Sequence, residues 1–354
     1  MPIVAALTLA ACGSQASKAR PPEPPTPPAE ATVAPAPTLA PVPTETPDPV
    51  LRSPLTGLPV DGPDEITRRP LVVKIGNSEA ERPQAGLAQA DVVYESVTEG
   101  GITRYAAVFQ SQEASNVGPV RSARLSDLQI APEFNAVLAH VGASSPIMTM
   151  LHNGTVSDLD QFFFQQYYHR TADRVPPYNV YTSTDKLRAG AQAQGFGVST
   201  AKLAPYAFES GTPPRGNAGE VDFDFAKQTH AAYVYDAGQH AYHQVEYGQP
   251  TADAGTGKPV QIANLVLQFT PVQTTDIVED RNGTHSLEYD LVGSGKAMVF
   301  HDGQELDGTW ERDATSDRTA FLDASGKPIP FARGSVWIAI VDPGTDVLVM
   351  PIGA

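Results

Sequence analysis

Leu71-Val-Val-Lys-Ile75 is the first of several short apolar runs that decide the fold we predict. Residues 92–95, 105–109 and 136–141 continue the series. Their length and β-branched content are typical of buried strands. Strands of this kind, interleaved with helix signals, predict a layered α/β domain over residues 54–215.

Two helix signals follow these runs. Ser145-Pro146 combines a capping residue with a proline in the first turn, and the helix should end near Asn153-Gly154. A second helix should begin at Thr182, Ser183 or Thr184 and run to Gly195.

Residues 216–354 show the pattern of a mostly-β domain. Short apolar or alternating runs are separated by turn sequences such as Arg281-Asn-Gly and Asp342-Pro-Gly. The runs are 231–235, 241–247, 265–270, 286–292, 297–301, 319–322, 336–341 and 347–350. This spacing predicts a small barrel or sandwich.

The first 53 residues have the features of a lipoprotein leader and tether. Leu9-Ala-Ala-Cys12 resembles a lipobox, so residues 1–12 should be a signal peptide and Cys12 the site of lipidation, including palmitate. No Lys or Arg precedes the apolar run, so we expect an atypical segment or a start upstream. A chance cysteine after a short apolar run is the alternative.

Residues 13–53 contain twelve of the 33 prolines and no aromatic residue, which predicts a disordered linker. Thirty such residues in polyproline II conformation would reach roughly 90 Å. Anchor and linker together predict a protein held by lipid at the extracytoplasmic face of the cell membrane.

The charge is strongly negative and unevenly distributed. The net charge of -16 argues against nucleic acid as a partner, because phosphate binding needs a basic surface. Residues 64–215 carry 13 basic and 15 acidic residues, whereas residues 216–354 carry 8 and 20. The first domain is therefore the better place for an anionic ligand. One cysteine excludes a disulfide framework within the chain and a Cys-based zinc site.

Arginines concentrate in two neighbouring motifs, Glu99-Gly-Gly-Ile-Thr-Arg104 and Val117-Gly-Pro-Val-Arg-Ser-Ala-Arg124. Gly118-Pro119 resembles the start of a helix, which would place Arg121 and Arg124 on one face of its first turn. Cations there oppose the helix dipole and cost about 0.3–1 kcal/mol each. A bound phosphate or carboxylate would remove this conflict.

We therefore consider an anion site formed by Arg104, Arg121, Ser122 and Arg124. Internal ion pairing is the alternative, and surface exposure is a third. Arg124 could pair with Asp127. The carboxylates available to Arg121 are Glu95, Glu99, Asp158 and Asp160.

Asp158-Leu-Asp160 places two carboxylates on one side of an extended segment. Together with His140, Glu95 and Glu99 they are candidates for a divalent metal site or for acid–base chemistry. The alternative is an ordinary loop, since Asp-x-Asp is common, and we expect no cofactor unless these residues gather.

Other enzyme and metal motifs have simpler explanations. His240 and His243 are three residues apart on a predicted strand and should point to opposite faces. Ser183-Thr-Asp-Lys186 fits the Ser-x-x-Lys pattern of penicillin-interacting enzymes, but no Lys-Thr-Gly follows and a helix cap explains it. Ser122 lies between two arginines without an identifiable base.

Several stretches resemble the YerB-like lipoproteins, a family of bacterial envelope proteins without an established activity. They are Arg69-Pro-Leu-Val-Val, Arg82-Pro-Gln-Ala-Gly-Leu-Ala-Gln-Ala-Asp-Val-Val-Tyr-Glu95, Glu99 to Arg104, Gly118 to Arg124, Leu159-Asp160, Asn179-Val-Tyr-Thr-Ser183, Gly293-Ser-Gly-Lys-Ala297 and Trp310. The resemblance covers about residues 54–350 and implies an N-terminal and a C-terminal family domain.

Where the family pattern has Pro-His-Asn, this chain has Pro177-Tyr178-Asn179. A role that needs imidazole there is lost, although Tyr178 and Asn179 could still line a ligand pocket.

These observations favour a non-enzymatic envelope protein that binds a cell-wall component or another envelope protein. The alternative is an enzyme that acts on an anionic wall polymer or its phosphate-linked precursor. In that case the arginines would stabilise charge in the transition state, and Asp158 or Asp160 would provide acid–base chemistry. A purely structural spacer is the third hypothesis, and it requires carboxylates to satisfy the arginine cluster.

Overall fold

A computed structural model of the chain describes residues 50–154, 156–197, 203–209, 215–246 and 248–353. The predicted signal peptide, Cys12 and the predicted linker as far as residue 49 lie outside these residues. The helices are α1 (Asp64–Thr67), α2 (Asp127–Glu133), α3 (Ser145–Asn153) and α4 (Thr184–Ala193). The strands are β1 (Leu71–Gly76), β2 (Val92–Val97), β3 (Thr103–Phe109), β4 (Val137–His140), β5 (Ser157–Asp160), β6 (His169–Arg170), β7 (Val180–Tyr181), β8 (Ala218–Ala226), β9 (Thr229–Asp236), β10 (Ala241–Glu246), β11 (Gln249–Pro250), β12 (Asn264–Phe269), β13 (Val272–Val278), β14 (His285–Tyr289), β15 (Gly293–His301), β16 (Gln304–Arg312), β17 (Ala320–Leu322), β18 (Val336–Val341) and β19 (Val347–Pro351).

A central sheet runs through both halves of the sequence, in the order β17-β16-β15-β12-β18-β2-β3-β1-β4-β5. Strands β18 and β2 join the halves in parallel, with Val336 beside Val92 and Ala339 beside Glu95. The near-continuous apolar runs explain this position, because strands in the middle of a layered sheet are covered on both faces. The sequence boundary near residue 216 therefore does not separate two sheets.

Each face of the central sheet is covered by a different layer. Strands β11-β10-β9-β8-β19 form a second sheet whose apolar face shares a core with β12, β15 and β18. Helix α4 packs on this side of the central sheet, whereas α2 and α3 pack on the other side. The prediction of an α/β N-terminal region followed by a mostly-β C-terminal region is confirmed.

The folded region begins slightly before the predicted boundary at residue 54. Arg52 pairs with Pro59 as an isolated bridge. The buried Ser53 accepts backbone hydrogen bonds at its hydroxyl from Leu55 and Thr56.

The two predicted helices after the apolar runs are confirmed at Ser145–Asn153 and Thr184–Ala193. The predicted helix start at Gly118-Pro119 is wrong. Residues 117–120 are extended, and the Val120 N–H donates to Val180 O at 2.7 Å. Gly118 has φ +151° and lies against Val180 and Tyr181, so the chain passes through a space without room for a side chain.

The strands that sequence patterns missed are polar on one face. Along most of strand β16, exposed positions alternate with half-buried ones. Strands β13 and β8 carry acidic and polar residues on their outer faces. Among the residues described, no helix is both long and apolar enough to cross a bilayer.

Candidate functional site

Most of the predicted site residues lie at one edge of the central sheet. Strands β1, β2, β4 and β5 are mutually parallel and end at this edge, and the antiparallel β3 begins there. The carboxyl ends of parallel strands are the usual ligand edge of α/β sheets. The residues that this edge brings together are Glu95, Glu99, Arg104, Arg121, Ser122, Arg124, His140, Asp158 and Asp160.

Glu99 is the centre of a buried ion-pair network with Arg104 and Arg124. Arg124 Nε donates to Glu99 Oε2 at 2.7 Å, and its Nη2 also donates to Oε1. Arg104 Nη2 lies 3.1 Å from the same Oε1. Only 11% of the Glu99 side chain and 6–8% of the two arginine side chains are exposed.

The pKa values at this network follow from burial and mutual charge. Burial raises the pKa of Glu99, but hydrogen bonds from Arg124 and the charges of both arginines outweigh it, so the pKa lies below its ordinary value. Burial and the neighbouring Arg124 charge lower the pKa of Arg104 to about 10. Arg104 Nε is buried without a hydrogen-bond partner among the described residues.

Arg121 is held separately and is more exposed. Its Nε lies 2.7 Å from Glu81 Oε1, and its Nη1 donates to Pro177 O at 3.1 Å. The guanidinium carbon lies 5.4 Å from the centre of the Tyr178 ring, which is within cation–π range. Tyr178, where the family pattern has histidine, therefore contacts an arginine. Asn179 Oδ1 instead accepts a hydrogen bond from Arg170 at 2.8 Å.

Lys74 and Asp127 add a fully buried pair to the same region. Lys74 Nζ lies 2.9 Å from Asp127 Oδ1, and neither side chain is exposed. Burial lowers the pKa of Lys74, and the Asp127 charge opposes this effect. Sequence reasoning did not include Lys74, although a lysine inside the run Leu71–Gly76 was a visible signal of a buried charge.

A further carboxylate beside these arginines comes from the hairpin formed by β13 and β14. Glu279 follows β13, and its Oε2 lies 3.5 Å from Arg124 Nη1. Its side chain is fully shielded from solvent, yet neither carboxylate oxygen has a hydrogen-bond partner among the described residues. We call Arg104, Arg121 and Arg124, with Glu81, Glu99 and Glu279, the arginine cluster.

The arginine cluster is balanced in charge, with three arginines facing three carboxylates. The pairing differs from the alternatives drawn from the sequence. Arg121 pairs with Glu81, and Arg124 pairs with Glu99, while Asp127 Oδ2 accepts only the backbone N–H of Arg124, at 2.7 Å. Spatial neighbours, rather than sequence neighbours, decide these pairs.

His140, Asp158 and Asp160 form a separate group. His140 Nε2 lies 3.1 Å from Asp158 Oδ2, and Nδ1 lies 3.0 Å from Gly142 O. Burial lowers the pKa of His140, but Asp158 and the Gly142 carbonyl outweigh it and hold the pKa above its ordinary value. Asp160 Oδ1 accepts the backbone N–H groups of Gly142 and Phe162 at 2.8 and 3.1 Å.

Glu95 faces the other layer and joins the two sheets. It accepts hydrogen bonds from Thr103 (2.8 Å), Tyr233 (2.9 Å), Trp337 (3.1 Å) and Asn77 (3.2 Å). Burial raises its pKa, and these hydrogen bonds oppose the effect. The five residues considered for a metal therefore split into three groups. Within the described part of the chain, no set of three or more His, Cys, Asp or Glu is arranged to hold a metal.

The remaining motifs have local structural roles. Ser183 directly precedes α4, as a cap would. His240 lies before β10 with Nδ1 2.8 Å from Asp302, whereas His243 lies on β10 with Nδ1 2.8 Å from Val260 O. Ser122 contributes its carbonyl to Arg104 at 3.2 Å.

Two family models match most of the folded region. They are described as the N-terminal and C-terminal domains of a protein of unknown function (DUF3048), and they match residues 55–197 and 221–338. The putative lipoprotein YerB of Bacillus subtilis (strain 168) is 32% identical over 296 residues, which are 82% of this chain and 86% of that protein. The chain belongs to the YerB-like family.

The architecture agrees with this assignment. The crystal structure of YerB from Bacillus subtilis superposes with a TM-score of 0.74 and 30% sequence identity, over 84% of this chain and 99% of that chain. The predicted resemblance to YerB-like proteins is therefore confirmed. Neither family description assigns an activity.

Proposed function

We propose that this YerB-like protein is a lipid-anchored, extracytoplasmic binding protein of the cell envelope, and that its arginine cluster takes an anionic ligand. Three observations support the location. They are the lipobox-like sequence at Cys12, the proline-rich stretch behind it, and the name of the Bacillus relative as a putative lipoprotein. In this proposal the arginines bind the ligand without catalysing a reaction.

The unusual position of Glu279 carries the binding proposal. A buried carboxylate normally accepts several hydrogen bonds, and leaving it without them costs free energy. Glu99 makes short, two-pronged contact with Arg124, whereas Glu279 Oε2 lies 3.5 Å from Arg124 and the Glu279 carboxylate accepts no hydrogen bond from the part of the chain that the structure describes. Glu279 therefore has the properties of an exchangeable counter-ion, and Glu99 those of a permanent one.

The ligand chemistry follows from the donors that remain. Arg121 is the most exposed of the three arginines, and Arg104 Nε has no hydrogen-bond partner among the described residues. Guanidinium groups bind carboxylate or phosphate through paired N–H donors. Displacement of the Glu279 carboxylate by a sugar carboxylate or phosphate of the envelope would preserve the charge balance and supply the missing hydrogen bonds.

Glu279→Gln tests this exchange directly. Removal of the competing charge should increase the affinity of the full-length protein for inorganic phosphate or glucuronate by about tenfold. This factor corresponds to the free energy of about one charge-assisted hydrogen bond. Isothermal titration calorimetry measures the change. Glu288→Gln, on the exposed side of the same hairpin, is the matched control and should leave the affinity unchanged.

A loss-of-binding variant completes the test. Arg121→Gln should abolish the gain seen in Glu279→Gln, since Arg121 is the arginine nearest to solvent. The binding proposal fails if neither anion binds the wild-type protein or Glu279→Gln, or if Glu279→Gln and Glu288→Gln behave alike.

The anchor has its own test. Cys12→Ser should move the protein from the membrane fraction to the soluble fraction, and mass spectrometry of the natural protein should find acyl chains, including palmitate, on Cys12. An unmodified thiol in membrane-derived material would contradict this part of the proposal.

An enzyme acting on an anionic wall polymer is the second candidate. The hydrogen-bonded His140–Asp158 pair lies at the same sheet edge as the arginines and favours this candidate. It predicts that Asp158→Asn abolishes turnover of wall polymer or phosphate-linked precursor by the purified protein. Equal, buffer-level turnover by wild type and Asp158→Asn would reject it.

A further inference from the structure

A second group of arginines surrounds a cavity of about 300 Å³ at the opposite edge of the central sheet. Arg68 and Arg69 are separated from β1 only by Pro70, so they lie where the parallel strands begin, away from the arginine cluster. Helix α4 contributes Arg188, Ala191 and Gln192 to the cavity wall. We call this space the N-edge cavity.

Arg69 is held by neutral acceptors. Its Nε donates to Asn135 O at 2.7 Å, its Nη2 to Asn135 Oδ1 at 3.3 Å, and its Nη1 to Phe196 O at 3.2 Å. Among the described residues no carboxylate lies within ion-pair distance of it. These neutral acceptors fix the guanidinium in place and leave its charge uncompensated. Burial lowers the pKa of Arg69, as expected for a cation held in such surroundings.

Arg68 and Arg188 share a single carboxylate. Glu113 contacts Arg68 Nη1 and lies 3.0 Å from Arg188 Nε, and 46% of its side chain is exposed. Arg188 Nη1 also donates to Arg69 O at 3.1 Å, which links the three arginines. Arg68 Nη2 is buried without a hydrogen-bond partner among the described residues.

The nearby Asp91 does not supply the missing charge to Arg69. It accepts the backbone N–H of Ser111 at 2.9 Å and also contacts the Ser111 hydroxyl. Burial raises the pKa of Asp91, which weakens it further as a counter-ion. Even with Glu113 and Asp91 both ionised, three arginines exceed two carboxylates by one charge.

We propose that the N-edge cavity binds the phosphate group of a small ligand, of the size of a phosphorylated monosaccharide. Three guanidinium groups, two on adjacent residues before β1 and one on α4, suit a tetrahedral oxyanion, whereas a flat carboxylate engages one or two of them. A volume of about 300 Å³ is at the lower end for small-molecule sites, which fits one sugar ring or less. Leu71 and Ala191 provide an apolar wall beside the phosphate.

Calorimetry of full-length Arg121→Gln, in which anion binding at the arginine cluster is removed, with glucose 6-phosphate, inorganic phosphate and acetate tests this site. Both phosphate compounds should bind, and acetate should bind at least about tenfold more weakly, because it engages fewer charge-assisted donors. Arg69→Gln should reduce phosphate affinity by about tenfold or more. Arg281→Gln, which removes an equal charge from the exposed hairpin turn, is the matched control.

Gln192→Glu keeps the test decisive if Arg69→Gln does not fold. Gln192 is exposed on α4, and a carboxylate there would enter the cavity wall without removing any existing hydrogen bond of an arginine. In the Arg121→Gln background this variant should fold and lose phosphate binding. Because Arg121→Gln leaves the N-edge cavity unchanged, failure here is distinguishable from failure at the arginine cluster. Equal phosphate affinity in Arg121→Gln with and without Gln192→Glu would overturn the proposal.

Discussion

Replacing Glu99 by glutamine should destabilise the protein severely, because it leaves Arg104 and Arg124 buried without their main counter-ion. Glutamine has nearly the same shape, so no cavity contributes to the loss. Both arginine side chains are less than one-tenth exposed, and breaking a pair buried to this degree costs about 3–5 kcal/mol. With a urea m-value of about 3 kcal/mol/M, the unfolding midpoint should fall by about 1–1.7 M.

Glu113→Gln is the matched control for this prediction. Glu113 also contacts two arginines, Arg68 and Arg188, but its side chain is 46% exposed, so its loss should cost less than about 1 kcal/mol. Urea unfolding of the full chain can be followed by fluorescence, since both tryptophans, Trp310 and Trp337, are buried. A Glu99→Gln effect no larger than that of Glu113→Gln would refute the reasoning.

The pH dependence gives an independent readout of the same pair. The pKa of Glu99 is lower in the folded state than its ordinary value of 4.5. Its stabilising contribution is therefore complete above pH 4.5 and is lost as the pH falls through the folded pKa. Wild type and Glu99→Gln should consequently converge in stability on acidification, in unfolding curves measured from pH 7 to pH 3.

Three further changes have defined outcomes. Lys74→Met should lower the free energy of unfolding by about 3–5 kcal/mol at pH 7, since it strands the buried Asp127 charge; urea unfolding measures this. The pKa of His140 is raised in the folded state. The contribution of protonated His140 to the free energy of unfolding is therefore complete below about pH 6.5 and is lost as the pH rises through the folded pKa. Asp158→Asn should reduce this dependence of stability on pH, as measured by thermal unfolding between pH 6 and pH 9. Gly118→Ala should cost about 1–3 kcal/mol, because φ +151° and close backbone leave no room for a Cβ.

Controls separate these effects from general sensitivity to substitution. Lys186→Met removes an exposed lysine and should change stability by less than about 0.5 kcal/mol. Gly195 also has a positive φ, +75°, but no atom lies within 4 Å of the Cβ that Gly195→Ala would add, so this change should cost less than Gly118→Ala. An Asp158→Asn protein with the wild-type pH slope would show that His140 does not control it.

Local sequence patterns located most of the regular elements. Apolar runs such as Leu71–Gly76 and Val336–Val341 are strands that are buried throughout, and their composition alone carries that information. Ser145-Pro146 marked a helix start because capping and proline geometry act within one turn. The motifs around Glu99, Arg104 and Gly118–Arg124 indicated the YerB-like family.

The failure at Gly118-Pro119 has a tertiary cause. A glycine followed by proline satisfies the local requirements of a helix start, but the N–H of Val120 is taken by Val180, sixty residues later. The helix α2 begins instead at Asp127. No local pattern reveals which distant segment will use a backbone donor.

By itself, the sequence determined most of the segments that form strands, two of the helices, where charge is concentrated, and that the arginines near Glu99 form a distinctive group. Only the tertiary structure decided that β18 lies beside β2, that Glu279 reaches Arg124, and that Arg69 donates to the neutral acceptors of Asn135 and Phe196. Secondary-structure preference arises within a few residues, whereas strand order and charge pairing depend on which distant segments meet when the apolar faces are buried. A charged residue in a sequence is therefore only a candidate site residue, and its burial and its partners in the folded protein determine its role.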